Sequence, residues 1–177
     1  MGLNQRGLTL IELMVTIAVL AIVISIAVPS FNTMIANNRA LSAGEQLITA
    51  INYARAESIK RGDRVTLCGT TDGANCDGTW ADDWMVVTDD AATDDAANPV
   101  VGTVLRQWPG PENGAAISEA NSISFVRFTR KGTLGNSASG AITLTASASG
   151  CSSNSAREVT VGIAGVLSGK RTKEGCS

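Results

Sequence analysis

The chain has 177 residues, 44% of them hydrophobic and only 4% aromatic, and its 14 Lys and Arg against 16 Asp and Glu give a net charge of −2. That balance excludes global attraction to nucleic acid or anionic lipid, and the absence of histidine excludes a Ser or Cys nucleophile activated by an imidazole base. Four cysteines, Cys68, Cys76, Cys151 and Cys176, form an even set that fits two disulfides in an oxidising compartment.

The first seven residues carry the polar Asn4, Gln5 and Arg6 and end in Gly7, and an apolar run then extends over 8–28. Its 21 residues make roughly 31 Å of helix, enough for a hydrocarbon core of roughly 30 Å. An ordinary secretory signal is shorter and ends in a small-residue cleavage site behind its apolar core. Here the strong cut signal, Gly7, stands in front of the core, so the apolar segment is expected to stay in the mature protein. Glu12 is the one carboxylate in that segment, and an unpaired charge at the bilayer centre costs about 2.5–3.5 kcal/mol on insertion scales. Two readings stay open for it: a position at the headgroup interface, or pairing with a new ammonium at Leu8 once residues 1–7 are removed.

The string Gly7-Leu8-Thr9-Leu10-Ile11-Glu12-Leu13 resembles the class III signal of type IV prepilins and pseudopilins. The resemblance implies cutting after Gly7 and N-methylation of Leu8 by a prepilin peptidase, insertion in the bacterial inner membrane, and assembly with other major and minor pilins or pseudopilins. Leu8 stands where that family usually has Phe. Loss of Arg6 with the leader would leave 13 basic residues against 16 acidic, a charge of about −3.

Past the membrane run the helical pattern continues. Pro29 is expected to kink it, because an interior proline removes one backbone hydrogen bond and crowds the preceding turn. Ala40, Leu41, Gly44, Leu47, Ile48, Ile51 and Ala54 repeat at helical spacing on one face, with Arg39, Ser42, Gln46, Thr49, Glu57 and Lys60 on the other. Arg55 interrupts the apolar face and must carry its head to solvent or to a carboxylate. Lys60 and Arg61 suit the negative end of the helix dipole, and Gly62 suits a left-handed cap, so the helix should stop there. The expected organisation is a leader at 1–7, a transmembrane helix at 8–29, its amphipathic half at 30–62 and a β-rich domain at 63–177. About 115 residues beyond the helix suffice for one modest core.

Beyond Gly62, short β-type runs alternate with Gly, Ser, Asn and Asp, and strands are expected at 64–68, 84–88, 100–108, 122–128, 141–145, 158–162 and 166–171. Residues 135–140 and 146–156 read as loops. The fold class is α+β: a long N-terminal helix laid on antiparallel sheet, pilin-like in the sense of the resemblance above. Three disulfide pairings are open, and proximity favours Cys68 with Cys76 and Cys151 with Cys176. A zinc site lacks both histidines and close cysteine pairs.

The segment from Cys76 through Trp80 and Trp84 to Asp89 resembles the GspH/FimT group of minor pilins and pseudopilins, with Asp83 where that group often has Gly. Core packing is the plainer role for both tryptophans, since each buries up to about 250 Å². The pairs Asp82-Asp83, Asp89-Asp90 and Asp94-Asp95 lack the alternation of a calcium loop and read as solvated. Lys170, Arg171 and Lys173 are the one concentration of positive charge. They form either a solvated tail held by Cys176 or a projecting surface for the phosphates of double-stranded DNA, as in some FimT-like members. The sequence thus points to a minor pilin that primes or joins the tip of a type IV pilus, with the H pseudopilin of type II secretion and a DNA-uptake pilin as alternatives. No enzyme activity, cofactor or metal is expected.

Overall fold

The Thr9 hydroxyl accepts the N–H of Glu12 at 3.3 Å. This is one half of a Thr-x-x-Glu capping box, and it opens α1 (Leu10–Arg61). At 52 residues the helix is about 78 Å long. It passes through Pro29 without ending, and stops at Gly62, whose φ of 63° is left-handed and whose N–H returns to the Ser58 carbonyl. The computed structural model describes residues 9–112, 114–120, 122–135, 140–152 and 154–176. Gly7, Leu8 and residues 136–139 of the first expected loop lie outside them.

Only the second half of α1 is buried. Ala36, Ala40, Ala43, Leu47, Ala50 and Ala54 lie at intervals of four and three, with Gly44 and Ile51 beside them. This stripe is rotated from the expected one: Leu41 is exposed and Ile48 only half-buried. The reason is steric, since small residues let the sheets approach the helix axis and the larger side chains serve at the flanks. Gly44 shows how close the approach is, because a Cβ there would sit 2.7 Å from both Cβ and Cγ of Arg157. Glu57, expected on the polar face, is buried near the helix end and accepts Arg61 Nε at 2.6 Å and Lys60 Nζ at 3.2 Å. Arg55 meets no carboxylate among the described residues and stays partly open to solvent. It donates to the backbone carbonyls of Gly132 at 3.1 Å and Ala164 at 3.3 Å.

Among the described residues, eight strands form two antiparallel sheets. The first holds β1 (Val65–Thr70), β2 (Asp83–Asp89), β3 (Val101–Trp108) and β5 (Phe125–Phe128) in the order β3-β2-β1-β5. The second holds β4 (Ala115–Glu119), β6 (Ile142–Ala148), β7 (Ala156–Val161) and β8 (Leu167–Thr172) in the order β4-β6-β7-β8. β4 was not expected, and its only strong β-former is Ile117; pairing with β6, Ile117 opposite Ala146, makes it a strand. β6 likewise runs to Ala148, into the stretch read as loop. Residues 122–124, expected as the start of a strand, precede β5.

α1 packs on both sheets, and the main core lies between them. Leu47 and Ile51 from the helix meet Val65, Leu67 and Val86 of the first sheet and Leu144, Val159 and Val161 of the second. Trp80, Trp84 and Trp108 fill the same core. The buried indole N–H groups are satisfied, Trp80 by the Ile123 carbonyl at 2.6 Å and Trp84 by the Trp80 carbonyl at 3.2 Å. On its far face the first sheet carries a second cluster of Cys68, Met85, Val87 and Phe125, so β1 is buried along its whole length.

Asp90 and Asp95 are exposed, as the solvated reading expects, whereas Asp89 is spent on the core and Asp82, Asp83 and Asp94 make bonds from the surface. Asp89 is buried and paired with the equally buried Arg127, Nε to Oδ2 at 2.7 Å. Burial pushes its carboxyl up, but bonds from Thr66, the Val100 N–H, Arg127 and the Ala91 N–H outweigh that and hold its pKa below the ordinary value. Arg127 also donates to the carbonyls of Asp94, Ala96 and Asn98, which fixes the segment between β2 and β3. Asp82 caps Thr79 at 2.7 Å, Asp83 accepts the Gly110 N–H at 2.8 Å, and Asp94 pairs with Arg64 at 3.2 Å.

Three outcomes follow for stability. Arg127→Met, which strands a buried carboxylate, should cost about 3–5 kcal/mol in chemical denaturation. Because Asp89 titrates below the 3.8 of an ordinary Asp, its contribution is complete above that value and is lost as pH falls through the depressed one. Asp89→Asn should therefore lower stability at neutral pH and flatten the acid limb of a Tm-against-pH curve. Separately, Gly44→Val should overpack the seam with Arg157 and cost about 1–3 kcal/mol, read as a fall in Tm.

Candidate assembly surface

The first half of α1 packs against no other element among the described residues. It is long and apolar enough to cross a membrane, and none of that stretch is buried. Large apolar side chains from Leu10 to Ile35 stand exposed on all sides. From Thr9 to Asn38 the only charged residue is Glu12. Three hydroxyls in the segment are satisfied locally: Thr16 donates to Leu13 O at 2.8 Å, Ser25 to Ile22 O at 2.7 Å and Thr33 to Pro29 O at 3.2 Å. These three can therefore lie in lipid or against other apolar helices without being left unpaired.

Glu12 occupies the first turn of α1, where the exposed N–H groups favour negative charge. Its capping geometry with Thr9 was readable as a Thr-x-x-Glu pattern and is the feature that the sequence reading passed over. Pro29 lies inside α1, between the bare and buried halves, and has no N–H to give to the Ser25 carbonyl one turn earlier.

The structure joins Cys68 to Cys76, with Cα atoms 5.5 Å apart, and Cys151 to Cys176, 4.9 Å apart. The first bond closes the outer cluster of the first sheet. The second packs with Ala36 and Ala40 of α1 and with Ala148, so the end of the chain is held against the helix at the domain's base. Asn37 adds to that seam by accepting the Ser152 N–H at 2.8 Å. Among the described residues no group of three or more Asp, Glu, Cys or His is placed to hold a metal ion.

The basic run is not a projecting tail. Lys170 and Arg171 belong to the edge strand β8, opposite Glu158 and Arg157 of β7 respectively, and neighbouring residues of a strand face opposite ways. Lys170 pairs with Glu158 at 2.9 Å. Arg171 turns to the α1 side and Lys173 follows the strand, so the three cations do not share one surface.

Residues 43–165 match the family described as type II transport protein GspH, and residues 2–28 match the prokaryotic N-terminal methylation motif. The chain is similar to the type IV major fimbrial protein FimA of Dichelobacter nodosus in two forms. One is 36% identical over 62 residues, 35% of this chain and 38% of the relative. The other is 29% identical over 119 residues, 64% of this chain and 65% of the relative. The chain thus spans less than two thirds of either curated relative. Its fold is similar to crystal structures of the type IV minor pilin FimU of Pseudomonas aeruginosa. In one crystal form the TM-score is 0.58 at 20% identity, covering 74% of this chain and 87% of that one; in another it is 0.56 at 18%, covering 73% and 91%. With a match over more than half its length, the chain belongs to the GspH family.

Proposed function

We propose that this chain is a minor pilin or pseudopilin that enters a helical filament through the bare half of α1, priming or joining the tip of a type IV pilus. The observation that carries this reading is the continuity of α1. One helix offers an unburied apolar half and, past Pro29, the face on which the whole domain is built. Such a subunit can exchange lipid for neighbouring helices with its domain unchanged. The N-terminal methylation motif supports cutting by a prepilin peptidase after Gly7. The ammonium of Leu8 would then lie one turn from Glu12, at the start of a helix held in the inner membrane with the domain in the periplasm. Its role is structural rather than catalytic.

The family description favours a second reading, the H pseudopilin of a type II secretion system. Loss of the gene separates the two. A pilus subunit should reduce surface pili with secretion intact, and a pseudopilin the reverse. A DNA-uptake role is left with Arg171 and Lys173, since Lys170 is already neutralised by Glu158.

Mass spectrometry of the mature protein should find N-methylated Leu8 at its amino terminus. Gly7→Arg should leave the precursor inserted but absent from sheared filaments, and a mature chain beginning at Met1 would remove the processing step. Glu12→Gln should insert at least as readily, because the cost of a buried carboxylate, about 2.5–3.5 kcal/mol, disappears. It should nonetheless be depleted from filaments, measured by immunoblot of sheared pili or pseudopili against the membrane pool; equal recovery would make the carboxylate merely interfacial.

A further inference from the structure

A pocket of about 230 Å³ opens between α1 and the β7–β8 side of the second sheet, lined by Asn37, Asn38, Leu41, Asn154, Arg157 and Arg171. Arg157 and Arg171 stand opposite each other in the ladder, so both side chains leave the sheet on the α1 side and their like charges repel. A single carboxylate answers two guanidiniums: Glu45 Oε1 lies 3.2 Å from Arg157 Nη2. Arg171 has no hydrogen bond or ion pair with any described residue. Arg157 Nε is buried and has no partner among the described residues. Asn37 spends its oxygen on the N–H and hydroxyl of Ser152, at 2.8 and 3.2 Å, so its amide nitrogen, a donor, is what it has left. The pocket therefore holds surplus positive charge and surplus donors.

We propose that this pocket binds a phosphate-type oxyanion, namely the headgroup phosphate of an anionic phospholipid in the bilayer that holds α1. The ligand would sit between the two guanidiniums, relieve their repulsion, and take up the forked donors of Arg171 that the protein leaves idle. The choice of lipid rests on the membrane placement proposed above. Asn37 is eight residues past Pro29, roughly 12 Å along the helix axis. The headgroup zones extend a hydrocarbon core of roughly 30 Å to about 40–45 Å in all, which brings the headgroups within about 7 Å of the level of Asn37 along the axis. Duplex DNA fits less well, since the pocket is one phosphate wide and Lys170 is held on the opposite face by Glu158.

The test uses the full chain in detergent micelles with ¹⁵N-labelled arginine, observed at the side-chain Nε–H signals. Inorganic phosphate reports the chemistry of the pocket, and short-chain phosphatidylglycerol against phosphatidylcholine reports the source. The expected result is saturable movement of the Arg157 and Arg171 signals with phosphate and with phosphatidylglycerol. Arg171→Gln, at an exposed site, should weaken both by about tenfold with Tm unchanged, and Arg171→Lys should weaken them less. No response to either ligand, or binding unaffected by Arg171→Gln, overturns the proposal. A response to phosphate alone overturns the headgroup assignment, and binding of duplex DNA without response to phosphate or lipid overturns the pocket in favour of an extended surface. Failure of the membrane placement itself would show separately, as full-length chain recovered in the soluble fraction.

Discussion

Close approach between α1 and two independent sheets is the constraint on which this molecule depends. The sheets share no strand, so what unites them is the helix seam of alanines with Gly44, Leu47 and Ile51. Small residues there bring backbone near backbone, and the bulk needed to fill the core comes from the sheets and from three tryptophans. The helix axis consequently sets the position of both sheets relative to whatever surrounds the bare half of α1. Any rotation of α1 within a filament is a rotation of the entire domain.

Polar groups then fix the long connections. The Asp89–Arg127 pair is fully buried, and a buried pair is weak evidence for net stability because desolvating two charges is costly. Its stronger effect is geometric. Arg127 bonds the carbonyls of three alternate loop residues, Asp94, Ala96 and Asn98, and Asp89 receives one backbone N–H from each end of the same segment, Ala91 and Val100. An acidic, Ala-rich stretch that buries little of its own beyond Ala91 is thereby given one conformation. Arg55 does the same for the turns around Gly132 and Ala164, and so links the far end of α1 to both sheets' loops.

Much of this is legible from the residues because it rests on local chemistry. The apolar run, the Gly62 cap after Lys60 and Arg61, and the strands rich in Val, Ile and Phe carry their structure in their own composition. Where tertiary context decides, the pattern misleads. The alanines at 36, 43 and 50 carry too little hydrophobic weight to outrank Leu41 and Ile48, yet they form the seam. Ala115–Glu119 becomes a strand only through its pairing with β6. The aspartates look like a solvated loop until Arg127, 38 residues on, is brought beside Asp89. For the candidate surface, Glu12 and Pro29 announce themselves by being unusual in an apolar run. Opposition of Arg157 and Arg171 depends instead on strand register, which single residues do not encode.

The bond between Cys151 and Cys176 has a mechanical meaning. It encloses β7 and β8 in one covalent ring of 25 residues' separation, anchored against α1 at Ala36 and Ala40. An edge strand, paired on one side only, is ordinarily the first to peel away when a molecule is stretched. Here β8 cannot unzip without carrying the ring with it. A load drawn along α1 therefore meets the second sheet as a closed loop sheared against the helix, and the weakest edge of the domain is exempt from progressive failure for as long as the sulfurs stay oxidised.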